Sequence, residues 1–181
     1  MKTNKTTRIA VAGVMAALSV VLLLLNLLIP MGTVALTATS AVILFFLVLE
    51  YGYKTALAVY AVTAVLCAIL LTGIPEVFCL YVFIFGLFSL LKKPLDRIRS
   101  VALRYTLKLL FAVFSALLYG ALMIFLLQAE VLSDYITKTL WLDIVTVLLY
   151  LATFLLYDEC LTRLARLYYR SLRQKLFPNQ K

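Results

Sequence analysis

IAVAGVMAALSVVLLLLNLLIPMGTVALTATSAVILFFLVL (Ile9–Leu49) is a run of 41 residues that contains no charge. A helix needs only about 20 apolar residues to cross the hydrocarbon layer of a membrane, so this run is long enough for two spans. The turn signal Pro30-Met31-Gly32 divides it. The whole chain of 181 residues is 65% hydrophobic and 14% charged, against roughly 45–50% and 25% in soluble domains. This composition excludes a soluble enzyme, a secreted disulfide scaffold and a disordered chain.

Charges, glycines and prolines divide the rest of the chain in the same way. The six apolar blocks cover approximately residues 9–29, 34–49, 55–71, 75–91, 104–128 and 139–157. Lipid cannot satisfy an open backbone, and the blocks lack the alternation of barrel strands, so each block is predicted to be a helix. The sequence therefore predicts an all-α polytopic membrane protein. Its six transmembrane helices occupy residues 1–157, and a basic amphipathic tail occupies residues 158–181.

The basic residues predict the orientation of these spans. With six spans, 16 of the 17 lysines and arginines lie on the side that also holds both termini, and only Lys138 lies on the other. Since cytoplasmic loops are enriched in Lys and Arg, both termini are predicted to be cytoplasmic. The net charge of +9 is thus a topology signal, and nucleic-acid binding is not expected.

Composition also restricts the chemistry. The chain has no histidine, and its three cysteines are not clustered, so neither a metal site nor a disulfide framework is expected. No cofactor is predicted, and the chain is not expected to be an enzyme. A membrane enzyme would have to use an acid pair such as Glu76 with Asp143.

Small residues indicate where helices could pack closely. The first span contains both Ala12-x-x-x-Ala16 and Gly13-x-x-x-Ala17, a face wide enough for two neighbours, one of them from another protein. Internal packing is predicted for the small residues of the third and fifth spans, which are Ala61, Ala64, Ala68, Ala112, Ala116 and Gly120.

The tail has helical periodicity. Its apolar positions are Leu161, Leu164, Tyr168, Leu172 and Leu176, and its opposite face carries Arg163, Arg166, Arg170 and Arg173. Such a helix commonly lies on an anionic membrane surface. Docking onto a cytoplasmic partner is the alternative.

Polar groups at membrane depth concentrate at the predicted outer ends of the spans. The candidate substrate-binding residues are Asn26, Thr33, Thr37, Glu76, Gln128, Trp141 and Asp143. An ordinary interfacial rim of helix caps and aromatic residues would also explain them. No charge is predicted near mid-bilayer and no ATPase motif occurs, so any transport must be driven by another protein.

The segment TRIAVAGVMAAL (7–18), followed by an apolar run to LIPMG (28–32), resembles the start of the substrate-binding S components of energy-coupling factor (ECF) transporters. Two further segments, LEYGYK (49–54) and FIFGLFSLLK (83–92), resemble an uncharacterised group of small bacterial membrane proteins related to S components. The resemblance implies a six-helix protein of the bacterial cell membrane that captures a vitamin-like small molecule at its outer side. It further implies a transmembrane scaffold subunit that contacts Ala12 and Ala16 and is driven by cytoplasmic ATPase subunits.

A second hypothesis is a membrane assembly protein that does not transport. Rod-shape proteins of the MreD type have a similar size and six spans. This hypothesis predicts that the basic loop 92–104 or the tail recruits partners.

Overall fold

Six helices make up the fold in the computed structural model, which describes residues 5–29, 32–98, 100–127 and 140–172. They are α1 (Lys5–Leu24, extended by a 3₁₀ turn at Leu25–Leu27), α2 (Thr33–Glu50), α3 (Tyr53–Leu70), α4 (Pro75–Asp96), α5 (Val101–Leu127) and α6 (Leu140–Leu167, followed by a π-helical turn at Tyr168–Leu172). Each helix is long and apolar enough to cross a membrane. The described residues contain no strand, so the prediction of an all-α chain with six apolar spans is confirmed.

The last helix extends further than the apolar block that predicted it. The predicted boundary between span and tail at residue 157 falls inside α6, which continues without a break to Leu167. The charges that begin at Asp158 do not end the helix, because the Asp158 carboxylate is paired with two lysines inside the bundle. Leu161 and Tyr168 are buried, so part of the predicted amphipathic face packs on this chain's own helices.

The turn between α2 and α3 explains how these two helices pack side by side. Gly52 has a φ of 83°, in the left-handed region that only glycine adopts freely. The Arg8 guanidinium of α1 donates a hydrogen bond of 2.7 Å to the Tyr51 carbonyl and another to the Thr55 hydroxyl. Since Tyr51 follows the last residue of α2, this cation also satisfies a free carbonyl at the negative end of the helix dipole.

Helix α4 occupies the centre of the bundle. In its apolar span 61% of the residues are buried, against 39% or less in every other span. One core cluster joins α1, α2 and α3 to the end of α4 at Leu90. A second cluster joins α4 to α5 and α6 through the aromatic ring of Phe88. The centroid of this ring lies 5.7 Å from that of Phe111 in α5 and 4.6 Å from that of Phe154 in α6.

The middle of α4 is a π-helix over Leu80–Gly86. A π-helical segment widens the helix and changes its backbone hydrogen bonding, and the Tyr60 hydroxyl of α3 donates a hydrogen bond of 2.9 Å to the Val82 carbonyl. The Tyr60 ring lies against Gly86, where a Cβ atom would stand 2.9 Å from it and 2.6 Å from the Tyr81 carbonyl oxygen. Glycine is therefore required for this close approach.

The predicted small-residue stripes have different outcomes. Ala112 of α5 is fully buried and its carbonyl accepts a hydrogen bond of 3.2 Å from the Tyr150 hydroxyl of α6. Ala61 and Ala68 of α3 are exposed, so the prediction of internal packing is wrong for these two. Their face of α3 instead carries large apolar side chains such as Val65 at the surface, which is the arrangement expected of a lipid-facing helix.

Candidate functional site

A groove of about 680 Å³ lies between α2, α4 and α6. Its lining residues are Thr33, Val34, Ala35, Ala38, Glu76, Phe85, Thr153, Leu156, Tyr157 and Cys160. Helix α6 contacts α2 at the other end of α2, where the Tyr168 hydroxyl donates a hydrogen bond of 2.6 Å to the Glu50 carboxylate. The groove, as we call it below, thus occupies the space between these two helices beside the N-terminal half of α2.

Among the described residues, the groove combines an apolar body with one carboxylate, that of Glu76. The rings of Phe85 and Tyr157 form one wall, with their centroids 4.9 Å apart. The Tyr157 hydroxyl forms a hydrogen bond of 2.8 Å with the Ser89 hydroxyl. Glu76 lies in the first turn of α4 and is exposed. No ion pair among the described residues includes Glu76. Such a surface suits a molecule with an apolar part and a cationic or hydrogen-bond-donating group.

The structure brings two of the predicted substrate-binding residues together in the groove, Thr33 and Glu76. Two others do not line it. Asn26 is buried and its side-chain amide donates a hydrogen bond of 2.9 Å to the Leu23 carbonyl. Thr37 is buried and its hydroxyl donates one of 2.6 Å to the Thr33 carbonyl. Both side chains therefore bond to their own chain segment one turn back, within the packed bundle.

The remaining predicted binding residues belong to a part of the chain about which less is described. Gln128 lies outside the described residues. Trp141 and Asp143 belong to α6, but their side chains lie outside the described part of the structure. Their place relative to the groove, and that of Asp143 relative to Glu76, stays a prediction.

The predicted partner face of α1 is divided between the interior and the surface. Ala16 is buried in the cluster shared by α1, α2 and α3, and Ala12 packs against the same cluster. Gly13 and Ala17 are exposed, and a Cβ at Gly13 would meet no atom within 4 Å. The Ala12 and Ala16 side of this face therefore packs against α2 and α3 of the same chain. The Gly13 and Ala17 side lies at the surface of the bundle.

The arginines at the end of α6 and in the π-helical turn that follows it lie at the surface. Arg163, Arg166 and Arg170 are all exposed, and Arg163 forms an ion pair of 3.0 Å with Glu159 one turn earlier. The apolar face of the same segment packs inward through Leu161 and Tyr168. The arginines are consequently presented on the side facing away from the bundle.

Sequence reasoning missed a buried ion network that connects α4, α5 and α6. Lys92 of α4, only 1% exposed, donates to the Asp158 carboxylate, to the Asp158 carbonyl at 3.0 Å and to the Thr162 hydroxyl at 2.9 Å. Lys108 of α5 contacts both Asp158 carboxylate oxygens at 2.9 Å and Asp96 at 2.8 Å. We call Lys92, Asp96, Lys108 and Asp158 the ion network.

The ion network is electrically balanced, because two ammonium groups face two carboxylates. Burying an unpaired charge is costly, whereas a paired and hydrogen-bonded one is tolerated. One sequence signal could have suggested it, since Lys108 stands inside an apolar block and Asp158 directly follows another. Both positions were predicted near the same membrane surface, where a pair is possible.

No known protein family, curated protein or solved structure matches this chain. Among the described residues, no group of three or more cysteines and carboxylates is placed to hold a metal ion. The functional argument therefore depends on the groove, the ion network and the surface of the bundle.

Proposed function

We propose that this protein is a substrate-capture membrane subunit of an ECF-type importer, and that its small-molecule ligand binds in the groove. The observation that carries the proposal is that α2 and α4 bring Thr33 and Glu76 to one cavity of about 680 Å³. Ligand sites typically have volumes of roughly 300–1,000 Å³, apolar walls and a few polar groups. The groove has all three properties.

The chemistry of the groove restricts the ligand. Its apolar part would lie against Phe85, Leu156 and Tyr157, and a cationic or donor group would face Glu76. An anionic head group would be repelled by this carboxylate and would find no cation among the lining residues. The proposed ligand is thus a small, partly apolar molecule, neutral or cationic, as some vitamins are.

Transport would need partners, because this sequence contains no ATPase motif. We place both termini in the cytoplasm of a bacterial cell, on the argument from the basic residues. The exposed Gly13 and Ala17 then lie near the cytoplasmic end of α1, where a transmembrane scaffold subunit could approach closely. Cytoplasmic ATPase subunits would act through that scaffold.

The groove can be tested by filling it. Ala35 is exposed within the groove, so Ala35→Trp would occupy the cavity without disturbing the core. Ala61→Trp is the matched control, since Ala61 is also exposed but lies on α3 and not in the groove. We expect a small molecule to be retained by the parent and by Ala61→Trp through purification from native membranes, and to be lost from Ala35→Trp. Mass spectrometry of the extracts measures this, and equal retention by all three would contradict the groove assignment.

The second candidate function is a membrane assembly protein of the MreD type. The exposed row Arg163, Arg166 and Arg170 favours it, because a rigid basic helix presented away from the bundle can recruit an acidic cytoplasmic partner. Affinity purification from native membranes separates the two candidates. Co-purified ATPase subunits, retained when the three arginines are replaced by glutamine, would support the importer. A non-ATPase partner that is lost from that variant would support the assembly protein.

A further inference from the structure

A second, smaller cavity lies at the end of the bundle that carries the ion network. Its volume is about 420 Å³, and it is lined by Val48 of α2, Tyr53 of α3, and Lys93, Pro94 and Arg97 at the end of α4. We call it the basic pocket. It is separate from the groove, with which it shares no lining residue.

The basic pocket is lined by two cations, Lys93 and Arg97. Lys93 lies in the last turn of α4, and Arg97 follows this helix directly, four residues later, a spacing at which like charges on a helix repel each other. The Lys93 ammonium donates a hydrogen bond of 3.1 Å to the Val48 carbonyl, which holds it at the pocket and leaves two of its protons for other acceptors. No ion pair among the described residues includes Lys93 or Arg97.

Within the described part of the chain, the acids closest to the pocket in sequence form no ion pair with its cations. Asp96, which stands between the two cations in sequence, faces Lys108 at 2.8 Å and Lys92 at 3.4 Å. Glu50, at the end of α2, accepts the hydrogen bond from Tyr168 and is in no ion pair of the described residues. Neither carboxylate is therefore a direct partner of Lys93 or Arg97.

The opposite wall of the pocket adds hydrogen-bond donors. Tyr53 is the first residue of α3, and its side chain is 42% exposed. This helix has no acidic residue in its first turn and no side-chain cap, so the positive end of its dipole adds to the positive potential at this wall. The two cations and the start of α3 together favour an anion with several acceptor oxygens.

We propose that the basic pocket binds a phosphate group. A guanidinium matches the oxygens of a phosphate in a bidentate manner, and a lysine adds a point charge. The pocket lies at the ends of α2 and α4, where the topology predicted from the basic residues puts the cytoplasmic head groups, and basic pockets between helices at that surface bind such groups. The phosphate can belong to an anionic lipid or to a soluble phosphorylated compound, and the proposal does not depend on the function of the groove.

The test measures the thermal unfolding of the purified protein in dodecyl maltoside micelles. One arm adds dioleoylphosphatidylglycerol, with the uncharged dioleoylglycerol as the comparison, and the other adds inorganic phosphate, with chloride at equal ionic strength as the comparison. Arg97→Gln is the variant, because Arg97 is exposed and its loss leaves the core intact. Arg104→Gln is the matched control, a partly exposed arginine near the start of α5 outside the pocket.

We expect the phosphate-bearing probe to stabilise the parent and Arg104→Gln equally. The concentration needed for half of this effect should rise about tenfold in Arg97→Gln, as expected for the loss of a charge-assisted hydrogen bond, and Arg97→Lys should recover part of it. Stabilisation by the lipid alone identifies a lipid phosphate, and stabilisation by inorganic phosphate identifies a soluble ligand. No stabilisation by either probe, or an equal loss in Arg97→Gln and Arg104→Gln, would overturn the proposal.

Discussion

Replacing Asp158 by asparagine should destabilise the protein more than any surface substitution. Asp158 faces both buried ammonium groups of the ion network, Lys92 and Lys108. The variant keeps the size of the side chain but leaves two positive charges with Asp96 as their nearest carboxylate, and Asp96 is 36% exposed and lies 3.4 Å from Lys92. Removing one partner of a buried ion pair typically costs about 3–5 kcal/mol. We expect a loss of this size in the free energy of unfolding.

The measurement is reversible unfolding of the purified protein by dodecyl sulfate in mixed micelles. Glu159→Gln is the matched control, because the neighbouring Glu159 pairs with Arg163 at the surface, where their side chains are 53% and 73% exposed. A surface pair contributes roughly 0–1 kcal/mol, so this control should unfold almost like the parent.

A double variant separates charge balance from loss of shape. In Asp158→Asn with Lys108→Met, one carboxylate and one ammonium group are removed together, and the ion network is balanced again. Its loss of stability should be smaller than the sum of the two single losses, with a coupling of about 1–3 kcal/mol. Additive losses, or a loss in Asp158→Asn as small as that in Glu159→Gln, would refute the electrostatic interpretation.

Two further predictions concern the π-helical part of α4 and use the same unfolding assay. Gly86→Ala should lose about 1–3 kcal/mol, as for other overpacked sites, because its Cβ would stand 2.6 Å from the Tyr81 carbonyl oxygen. Gly13→Ala meets no atom within 4 Å and should be neutral or up to about 1 kcal/mol more stable, so equal effects at the two glycines would contradict this interpretation. Tyr60→Phe should lose about 1 kcal/mol, because it removes the hydrogen bond to the Val82 carbonyl and keeps the ring, and no loss at all would show that the ring supports this site without the hydroxyl.

The number and type of the helices could be predicted, because span length and charge are properties of single segments. The run Ile9–Leu49 is too long and too apolar to be anything other than two spans, and α1 and α2 occupy it. The end of α6 could not be placed in this way. An amphipathic pattern from Leu161 to Tyr168 has the same periodicity whether its apolar side lies on lipid or, as here, on the bundle.

Properties that depend on which helices are neighbours could not be predicted. Ala61 and Ala112 belong to equivalent small-residue stripes, yet Ala61 is exposed and Ala112 is buried, because Ala112 lies against Tyr150 of α6. A Cβ atom at Gly120, in the stripe of Ala112, would meet no atom within 4 Å. Lys92 and Asp158 are 66 residues apart, and no local pattern indicates that they meet. The groove was anticipated only in part, since Thr33 and Glu76 line it whereas Asn26 and Thr37 form local hydrogen bonds.

The ion network and the groove are connected through one residue pair of α6. Tyr157 lines the groove and contacts Ser89, and the next residue, Asp158, is bound by the two lysines. The two lysines therefore hold α6 in its position along α4 and in its orientation about its own axis. This position places Tyr157 in the wall on which the proposed ligand would lie. If the groove binds this ligand, Asp158→Asn should retain less of it than Glu159→Gln, and the double variant with Lys108→Met should recover part of the loss. Normal retention by an Asp158→Asn variant that is clearly destabilised would show that the ion network stabilises the bundle without positioning the groove.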